Sequence, residues 1–239
     1  MSRFDTQREE ICRVGRSLFE RGYVHATAGN ISVRLPERRG FLITPTDACL
    51  GFLQPDRLAH AEAPDDGAGA QPDAPRASKT LALHRAIYAA EPTAHCVIHT
   101  HSAELVALTL EGVWRADAIL PPITPYFVMK VGRVPLIAYH RPGDPAVAAL
   151  VAHEIAAAQA RHAPIRSVML DRLGPNVWHD GPIAAMAVLE ELEMTARLWR
   201  ATRPRPAPLT EAQIDELRSA FGARWQQVHP CPNSPPTSR

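Results

Sequence analysis

Two histidines separated by one residue, His99 and His101, are the sharpest chemical feature of the sequence. They lie in AHCVIHTHS, a short apolar run that predicts a buried β-strand. Because side chains alternate along a strand, Val97, His99 and His101 are expected on one face. Imidazole nitrogens are common zinc ligands, and two rings on one face can reach the same ion. The pair therefore predicts a divalent-metal site that needs one or two further ligands.

Three turns rich in hydroxyl groups, small residues and free backbone amides precede the histidine pair. They are TAGN with Asn30, TPTD with Thr44 and Thr46, and SKT with Ser78 and Lys79. Backbone N–H groups in such turns can hold an anion, and Lys79 adds a positive charge. Each turn alone would be unremarkable in a globular protein. Together with a metal pair, they favour a small phosphorylated or carboxylated substrate.

Helical and strand patterns alternate along the chain. An amphipathic helix carrying Ile11, Val14 and Leu18 is expected to end near Gly22, and NISVRL and GFLIT predict a β-hairpin. Further helices are predicted in KTLALHRAIYAAEP, SAELVALTL, DPAVAALVAHEIAAAQARH, PIAAMAVLEELEMTARLWRATR and, after the capping residue Thr210, EAQIDELRSAFGARW. Strands are predicted in AHCVIHTHS, VPLIAY and RSVMLDR. The alternation indicates an α/β layered domain.

A single domain is predicted for residues 1–220, because 239 residues are enough for one large core and few for two. Residues 61–77 are rich in Ala, Pro, Asp and Gly, which predicts an exposed, mobile excursion within that domain. Residues 221–239 are expected to be a C-terminal extension, disordered over HPCPNSPPTSR.

Composition argues against several classes of partner. The 26 basic and 25 acidic residues give a net charge of +1, without the clustered Lys and Arg that nucleic-acid binding needs. No apolar stretch approaches the about 20 residues of a membrane span, and the charged N-terminus lacks the apolar core of a signal peptide. Cys12, Cys49, Cys96 and Cys231 show no CxxC spacing, which favours free thiols in a reducing cytoplasm.

The order and spacing of the motifs resemble the class II aldolase/adducin family over nearly the whole chain. The matching segments are TAGNISVR, FLITPTD, ASKTLALHRAIY, CVIHTHS and a Gly-Pro turn after RSVMLD. PPITPYFVMKVGRVPLIAYHRPGDP and the SKT turn are most similar to the 3-oxo-tetronate 4-phosphate decarboxylase branch, which has a lysine where Lys79 stands. The resemblance implies a central, largely antiparallel sheet flanked by helices, and tetramers with active sites at subunit junctions.

The resemblance also implies a metal-dependent lyase. A divalent ion, most often Zn²⁺ with Mn²⁺ or Fe²⁺ as alternatives, would be held by His99, His101 and a third histidine. In this family the ion polarises the substrate carbonyl and stabilises an enediolate. Retro-aldol cleavage forms that enediolate by breaking a C–C bond, whereas decarboxylation forms it by loss of CO₂.

Further roles follow from the same resemblance. Lys79 would neutralise a carboxylate and donate a proton. Tyr126 would contact substrate across a subunit junction, or else be a packed core tyrosine. The phosphate would be held by Asn30, Thr44, Thr46, Ser78 and Lys79.

Two positions depart from the family pattern. Thr80 stands where the family has a glutamate, and Leu173 stands where it has the third histidine. A leucine cannot bind an ion, and a threonine hydroxyl is a poor substitute for a carboxylate. The substitutes considered are His140 and His179, which are preferred, and His25 and Asp171. An alternative explanation is that the site binds metal only weakly and the pocket performs metal-poor chemistry with Lys79.

Three functional classes therefore remain open. The leading hypothesis is a lyase that acts on a small phosphorylated sugar acid or keto acid by decarboxylation or retro-aldol cleavage. The second is a catalytically silent protein of this fold, like the adducin head, which Thr80 and Leu173 favour. The third is a non-haem iron oxygenase, in which the two histidines would be joined by the carboxylate of Asp171 or Glu104.

Overall fold

A mixed β-sheet flanked by helices forms the centre of the molecule in a computed structural model that describes residues 4–35, 40–61, 77–78 and 80–226. The strands are β1 (Asn30–Arg34), β2 (Phe41–Ile43), β3 (Ala59–Ala61), β4 (Cys96–His99), β5 (Leu136–Ile137), β6 (Ser167–Leu170) and β7 (Gly174–His179). They form a seven-stranded sheet in the order β3-β2-β1-β4-β7-β6-β5. All neighbouring pairs are antiparallel except β5 and β6. The predicted α/β fold with a largely antiparallel sheet is confirmed.

Helices cover both faces of this sheet. They are α1 (Asp5–Glu20), α2 (Leu81–Ala90), α3 (Ala103–Glu111), α4 (Ala146–Ala160), α5 (Pro182–Ala201) and α6 (Glu211–Phe221). Because strand side chains alternate, Ile98 and Val177 pack into the core on the side of α1, α3 and α5. Val97 and Trp178 pack into a second core on the side of α2 and α4. The histidine-bearing strand β4 therefore lies between two apolar layers.

Most predicted elements are present with small shifts of their ends. The first helix ends at Glu20, close to Gly22 as predicted. Strands β1 and β2 form the predicted hairpin, with Val33 opposite Leu42. Thr210 caps α6 through a capping box with Gln213, which confirms the expected N-terminus.

Three expectations about strands need correction. The Gly-Pro turn after RSVMLD is instead the start of β7, a six-residue strand that the sequence pattern did not reveal. VPLIAY contributes only the two residues of β5. Ala61, where the predicted excursion begins, is the last residue of β3, an element that the sequence reading also missed. Residues 62–76 of that excursion lie outside the described residues.

The packed part of the chain continues beyond residue 220. Ala223 and Trp225 are buried, and the ring of Trp225 lies 5.7 Å from that of Phe127, centroid to centroid. Arg133 donates a hydrogen bond to the carbonyl of Gln226 at 3.0 Å. Residues 227–239 lie outside the described residues, so the predicted disorder of the chain end stays a prediction. No helix within the described ranges combines the length and apolar character that a membrane crossing requires.

Candidate active site

His99 and His101 are neighbours in space, as predicted. His99 is the last residue of β4, whereas His101 lies in the short connection to α3, so only His99 belongs to the strand. Their ring centroids are 5.1 Å apart and their planes are inclined by 69°. His99 is only 3% exposed, and His101 is partly buried. The two imidazoles therefore lie together at one end of the sheet.

A backbone hydrogen bond fixes the tautomer of His99. Its Nδ1 lies 2.9 Å from the carbonyl oxygen of Pro175. A carbonyl oxygen only accepts, so Nδ1 carries the proton and donates it, and Nε2 keeps a free lone pair. The pKa of His99 is lowered to about 4, mainly by burial and also by the charge of His101, while the Pro175 hydrogen bond acts in the opposite direction. His99 is therefore a neutral imidazole near neutral pH.

The pKa of His101 is also below its usual value. Burial is the larger cause, and the charge of His25 adds to it. The side chain of His25 is exposed, in the segment between α1 and β1. Both members of the histidine pair therefore favour the uncharged form.

Two glycines hold the histidine segment in place. Gly29 has φ +85°, and a Cβ atom there would lie 2.8 Å from the carbonyl oxygen of His99. Gly174 has φ +135°, and a Cβ atom there would lie 1.9 Å from the carbonyl oxygen of Thr100. Both backbones approach the segment more closely than any other residue type permits. The loop before β1 and the turn between β6 and β7 therefore enclose it from two sides.

His99 lines a pocket next to this segment, between the sheet, α2 and the start of α4. Side chains from several elements face it. The lining residues include Thr80, Leu83, Ile137, His140, Arg141, Asp171 and Leu173. Much of the wall is hydrocarbon, with a small number of polar groups. This combination is typical of small-molecule sites.

The turns predicted to bind an anion meet at the same end of the sheet. Asn30 on β1 lies directly opposite His99 on β4. Pro45, within the TPT turn, forms an isolated β-bridge with Ala77, which places that turn beside Ser78. Ser78 Oγ lies 3.0 Å from Thr80 Oγ1, at the start of α2. Asn30, the Thr44–Thr46 turn, Ser78 and Thr80 therefore lie near one another at this end of the sheet.

The residues predicted to bind the anion differ in their surroundings. Thr44 is buried, and its Oγ1 accepts a hydrogen bond from the backbone N–H of Ile31 at 3.2 Å, so its hydroxyl helps to hold β1. Thr46 is partly buried in the next turn. Lys79 lies outside the described residues, so its predicted role stays a prediction.

The two preferred substitutes for the third histidine lie in different places. His140 lines the same pocket as His99, and its Nδ1 donates to the carbonyl of Ala138 at 2.8 Å, which leaves Nε2 free. His179 pairs across the sheet with Cys96, three residues along β4 from His99 and therefore roughly 10 Å away. Its Nδ1 is hydrogen-bonded to Asp180. The sheet register therefore excludes His179 from the site and leaves His140 beside it.

A row of buried polar side chains crosses the sheet at His99 and was not expected from the sequence. Asn176 on β7 lies opposite His99, on the side away from Asn30. In the described structure, the Oδ1 atom of Asn30 and both amide atoms of Asn176 are buried without a hydrogen-bond partner. Most buried polar groups in proteins are paired, so these atoms have open hydrogen-bonding capacity. The signal in the sequence was an asparagine within the otherwise apolar GPNVW.

A second unexpected group lies behind His99. Ser32 Oγ lies 2.7 Å from His84 Nδ1 and 2.8 Å from the hydroxyl of Tyr88, so it joins β1 to α2. The pKa of His84 is lowered to about 3, mainly by burial and also by the charge of His99. His84 Nε2 is buried without a partner in the described structure. The electrostatic effect of His99 on His84 links this hydrogen-bonded group to the site.

Comparison with known proteins now decides the family. Residues 9–200 match the family described as Class II Aldolase and Adducin N-terminal domain. The chain belongs to the class II aldolase/adducin family.

Several relatives in this family carry one name. A protein of Cupriavidus necator named 3-oxo-tetronate 4-phosphate decarboxylase is 55% identical over 230 residues, which cover 94% of this chain and 100% of the relative. A protein of Escherichia coli with the same name is 40% identical over 214 residues, covering 89% and 95%. The crystal structure of YgbL from Klebsiella pneumoniae, titled a putative aldolase/epimerase/decarboxylase, superposes with a TM-score of 0.78 at 36% identity and covers 91% of this chain and 100% of that one.

The two departures from the class II aldolase pattern both lie at the site. Thr80 and Leu173 line the pocket together with His99. Protein zinc sites use at least three side-chain ligands. Among the described residues, no group of three His, Cys, Asp or Glu side chains could hold a metal ion. The histidine pair supplies two imidazoles, of which His99 has its Nε2 lone pair free, but the described part of the chain does not complete the set that the resemblance implied.

Three other predicted residues are placed clearly by the structure. Glu104, proposed as an iron ligand, forms an ion pair with Arg200 on α5, away from the pocket. Asp171 lines the pocket but joins no group of three ligands within the described residues. Tyr126 is 63% exposed and does not line the pocket, so it is not the packed core residue considered as an alternative. The oxygenase hypothesis therefore has no described carboxylate to complete its iron site.

Proposed function

We propose that this chain is a lyase that removes CO₂ from a small phosphorylated sugar acid, with 3-oxo-tetronate 4-phosphate as the first substrate to test. The observation that supports it most is the 55% identity to a protein named for that reaction, over 100% of that protein's length. The pocket at His99, with anion-receptive turns beside it, supplies a place for such a substrate. Retro-aldol cleavage of a related sugar phosphate is the alternative route to the same type of intermediate.

The proposed reaction makes defined demands on the protein. In a four-carbon acid with a 3-oxo group, the bond between C1 and C2 breaks and C1 leaves as CO₂. The electron pair moves toward the C3 carbonyl and gives an enediolate, and C2 then takes up a proton. The site must hold the phosphate, disfavour the charged carboxylate and stabilise the negative oxygen.

The described residues meet these demands in part. The turns at Asn30, Thr46 and Ser78, with the N-terminal end of α2, present hydroxyl and backbone N–H groups to a phosphate. The hydrocarbon wall that includes Leu83 and Leu173 disfavours a carboxylate relative to neutral CO₂.

Two cationic side chains would complete the recognition of the substrate. Arg141 lines the pocket and offers a positive charge near its rim. Lys79, next to Ser78 in the sequence, is proposed as the proton donor and carboxylate partner.

We also propose that the active form is a cytoplasmic homo-oligomer, as the resemblance implies. Tyr126 is 63% exposed, which is consistent with a tyrosine that reaches the pocket of a neighbouring subunit. The free thiols of Cys12, Cys49 and Cys96 are consistent with a reducing compartment.

A catalytically silent protein is the second candidate. The observation in its favour is that Thr80 and Leu173 both line the pocket, where they remove a carboxylate and an imidazole from the family pattern. A silent protein would keep the fold and the pocket but would release no CO₂.

Release of CO₂ from 3-oxo-tetronate 4-phosphate by the purified full chain separates the two candidates. His99→Gln removes the buried imidazole, and His95→Gln is a matched control because that histidine is exposed. We expect activity in the wild type and the control, and a loss of about 100-fold in kcat/KM for His99→Gln. Circular dichroism of each variant checks that the fold is retained. The proposal fails if the wild type releases no CO₂, or if the two variants behave alike.

A further inference from the structure

We infer that this pocket works without a resident divalent ion, and that Thr80 and Leu173 are the positions that prevent one from being retained. The inference rests on the proposed function for the reaction that the pocket serves. It concerns the donor atoms that the chain places around His99.

The described residues around His99 offer too few donor atoms for a stable metal site. His99 and His101 present two imidazoles, whereas a stable zinc site needs at least three protein ligands. Hard ions such as Mg²⁺ or Mn²⁺ require oxygen ligands, usually carboxylates. No third such ligand joins the pair within the described ranges. A doubly charged ion held by two neutral rings in a largely apolar pocket would lack charge compensation.

Thr80 and Leu173 both make contacts of another kind. Leu173 packs against the apolar cluster on the α2 and α4 side of the sheet. The close approach of Gly174 to Thr100 fixes the turn that carries it. Thr80 Oγ1 lies at hydrogen-bond distance, 3.0 Å, from Ser78 Oγ. Neither side chain offers a metal ligand in this arrangement.

Neutral polar groups near His99 are left to stabilise the enediolate intermediate. The buried amides of Asn30 and Asn176 flank His99 on the neighbouring strands, and three of their polar atoms have no partner in the described structure. An amide N–H can donate to a developing enediolate oxygen, and an amide oxygen or the free Nε2 of His99 can accept from a substrate hydroxyl. Of these three residues, His99 lines the pocket and the two amides lie buried beside it. We expect a substrate that reaches past His99 to meet these neutral groups in place of a Lewis acid.

Metal retention tests the inference independently of activity. The wild type, the variant Thr80→Glu/Leu173→His and the matched control Thr80→Gln/Leu173→Gln are each incubated with Zn²⁺ or Co²⁺ and desalted. Metal content is then measured per chain, and Co²⁺ coordination is followed by its visible absorption. We expect the wild type and the glutamine control to lose the ion, and the Glu/His variant to keep about one ion per chain.

A wild-type chain that keeps one ion through desalting, and loses it in His99→Gln, would overturn the inference. If the Glu/His double variant fails to fold, the single variant Leu173→His and the wild-type measurement still decide. Retention in Leu173→His but not in the wild type supports the inference.

An assay of CO₂ release with and without a chelator keeps the two proposals apart. Activity that the chelator leaves unchanged supports both of them. Activity that requires an added ion keeps the proposed function and overturns the inference. Absence of activity under both conditions refutes the proposed function, while the metal measurement still judges the inference.

Discussion

Gly174 lies so close to Thr100 that a Cβ atom on the glycine would be 1.9 Å from the threonine carbonyl oxygen. The contact joins the turn between β6 and β7 to the segment that carries His99 and His101. It also places Leu173 at the edge of the pocket. Two parts of the chain that are far apart in sequence are therefore held in one fixed relationship, and the geometry of the candidate site depends on it.

Replacing this glycine should destabilise the fold. Gly174→Ala introduces a Cβ atom into backbone rather than into a mobile side chain, and it imposes a φ of +135° on a non-glycine residue. We expect a loss of about 3 kcal/mol or more in the free energy of unfolding, measured in urea. Gly181→Ala is the control, because nothing lies within 4 Å of a Cβ atom there. Equal stability of the two variants would contradict the contact.

Acid should destabilise the protein through His84. Its pKa is lowered by burial from 6.5 to about 3 in the folded chain, so between these values the unfolded chain binds a proton that the folded chain does not. The stabilisation is present above the unfolded pKa and is lost as pH falls toward the folded one. His84→Gln should make the dependence of unfolding free energy on pH shallower by about 1.4 kcal/mol per pH unit in acid. An unchanged slope would show that His84 is not buried in the neutral form.

Asn176 should contribute to activity but lower the stability of the fold. Both atoms of its buried amide lack partners in the described structure, so Asn176→Val removes a desolvation penalty. We expect the free energy of unfolding to rise by about 1 kcal/mol and kcat/KM to fall. A destabilised Asn176→Val variant would show that the amide is paired within the fold.

The start of α3 should depend on a carboxylate from α5. Glu193 accepts backbone N–H groups of Glu104 at 2.8 Å and Leu105 at 3.0 Å, in the first turn after His101. Glu193→Gln replaces a charged acceptor by a neutral one at the helix N-terminus and should cost about 1–2 kcal/mol of stability. Glu190→Gln, which removes a surface ion pair with Arg21, should cost less than about 1 kcal/mol. Equal losses in urea unfolding would argue against the capping role.

Local patterns were enough to predict most helices, the β-hairpin and the histidine pair. Amphipathic periodicity and the Thr210 cap are properties of contiguous residues, so they can be read from the sequence directly. β7 was missed because Gly174-Pro175 has the composition of a turn, although here the pair opens a strand beside β4. Its role as a strand follows from pairing partners that are remote in sequence.

The composition of the site was only partly predictable for the same reason. His140 and His179 are equivalent candidates in the sequence, and only the sheet register separates them. Asn176 reads as one polar residue in an apolar run, and its importance follows from its position opposite His99. Resemblance to the family identified Thr80 and Leu173 as departures, and the structure added that both face one pocket.

The most direct test of the account follows the carbon atom that should leave. Substrate labelled with ¹³C at C1 of 3-oxo-tetronate 4-phosphate is incubated with the full chain, and the products are observed by NMR. The account predicts that the label appears as CO₂ and bicarbonate with the wild type, and that this conversion is lost in His99→Gln. Label that stays bonded to C2 in the presence of folded wild-type protein would contradict it.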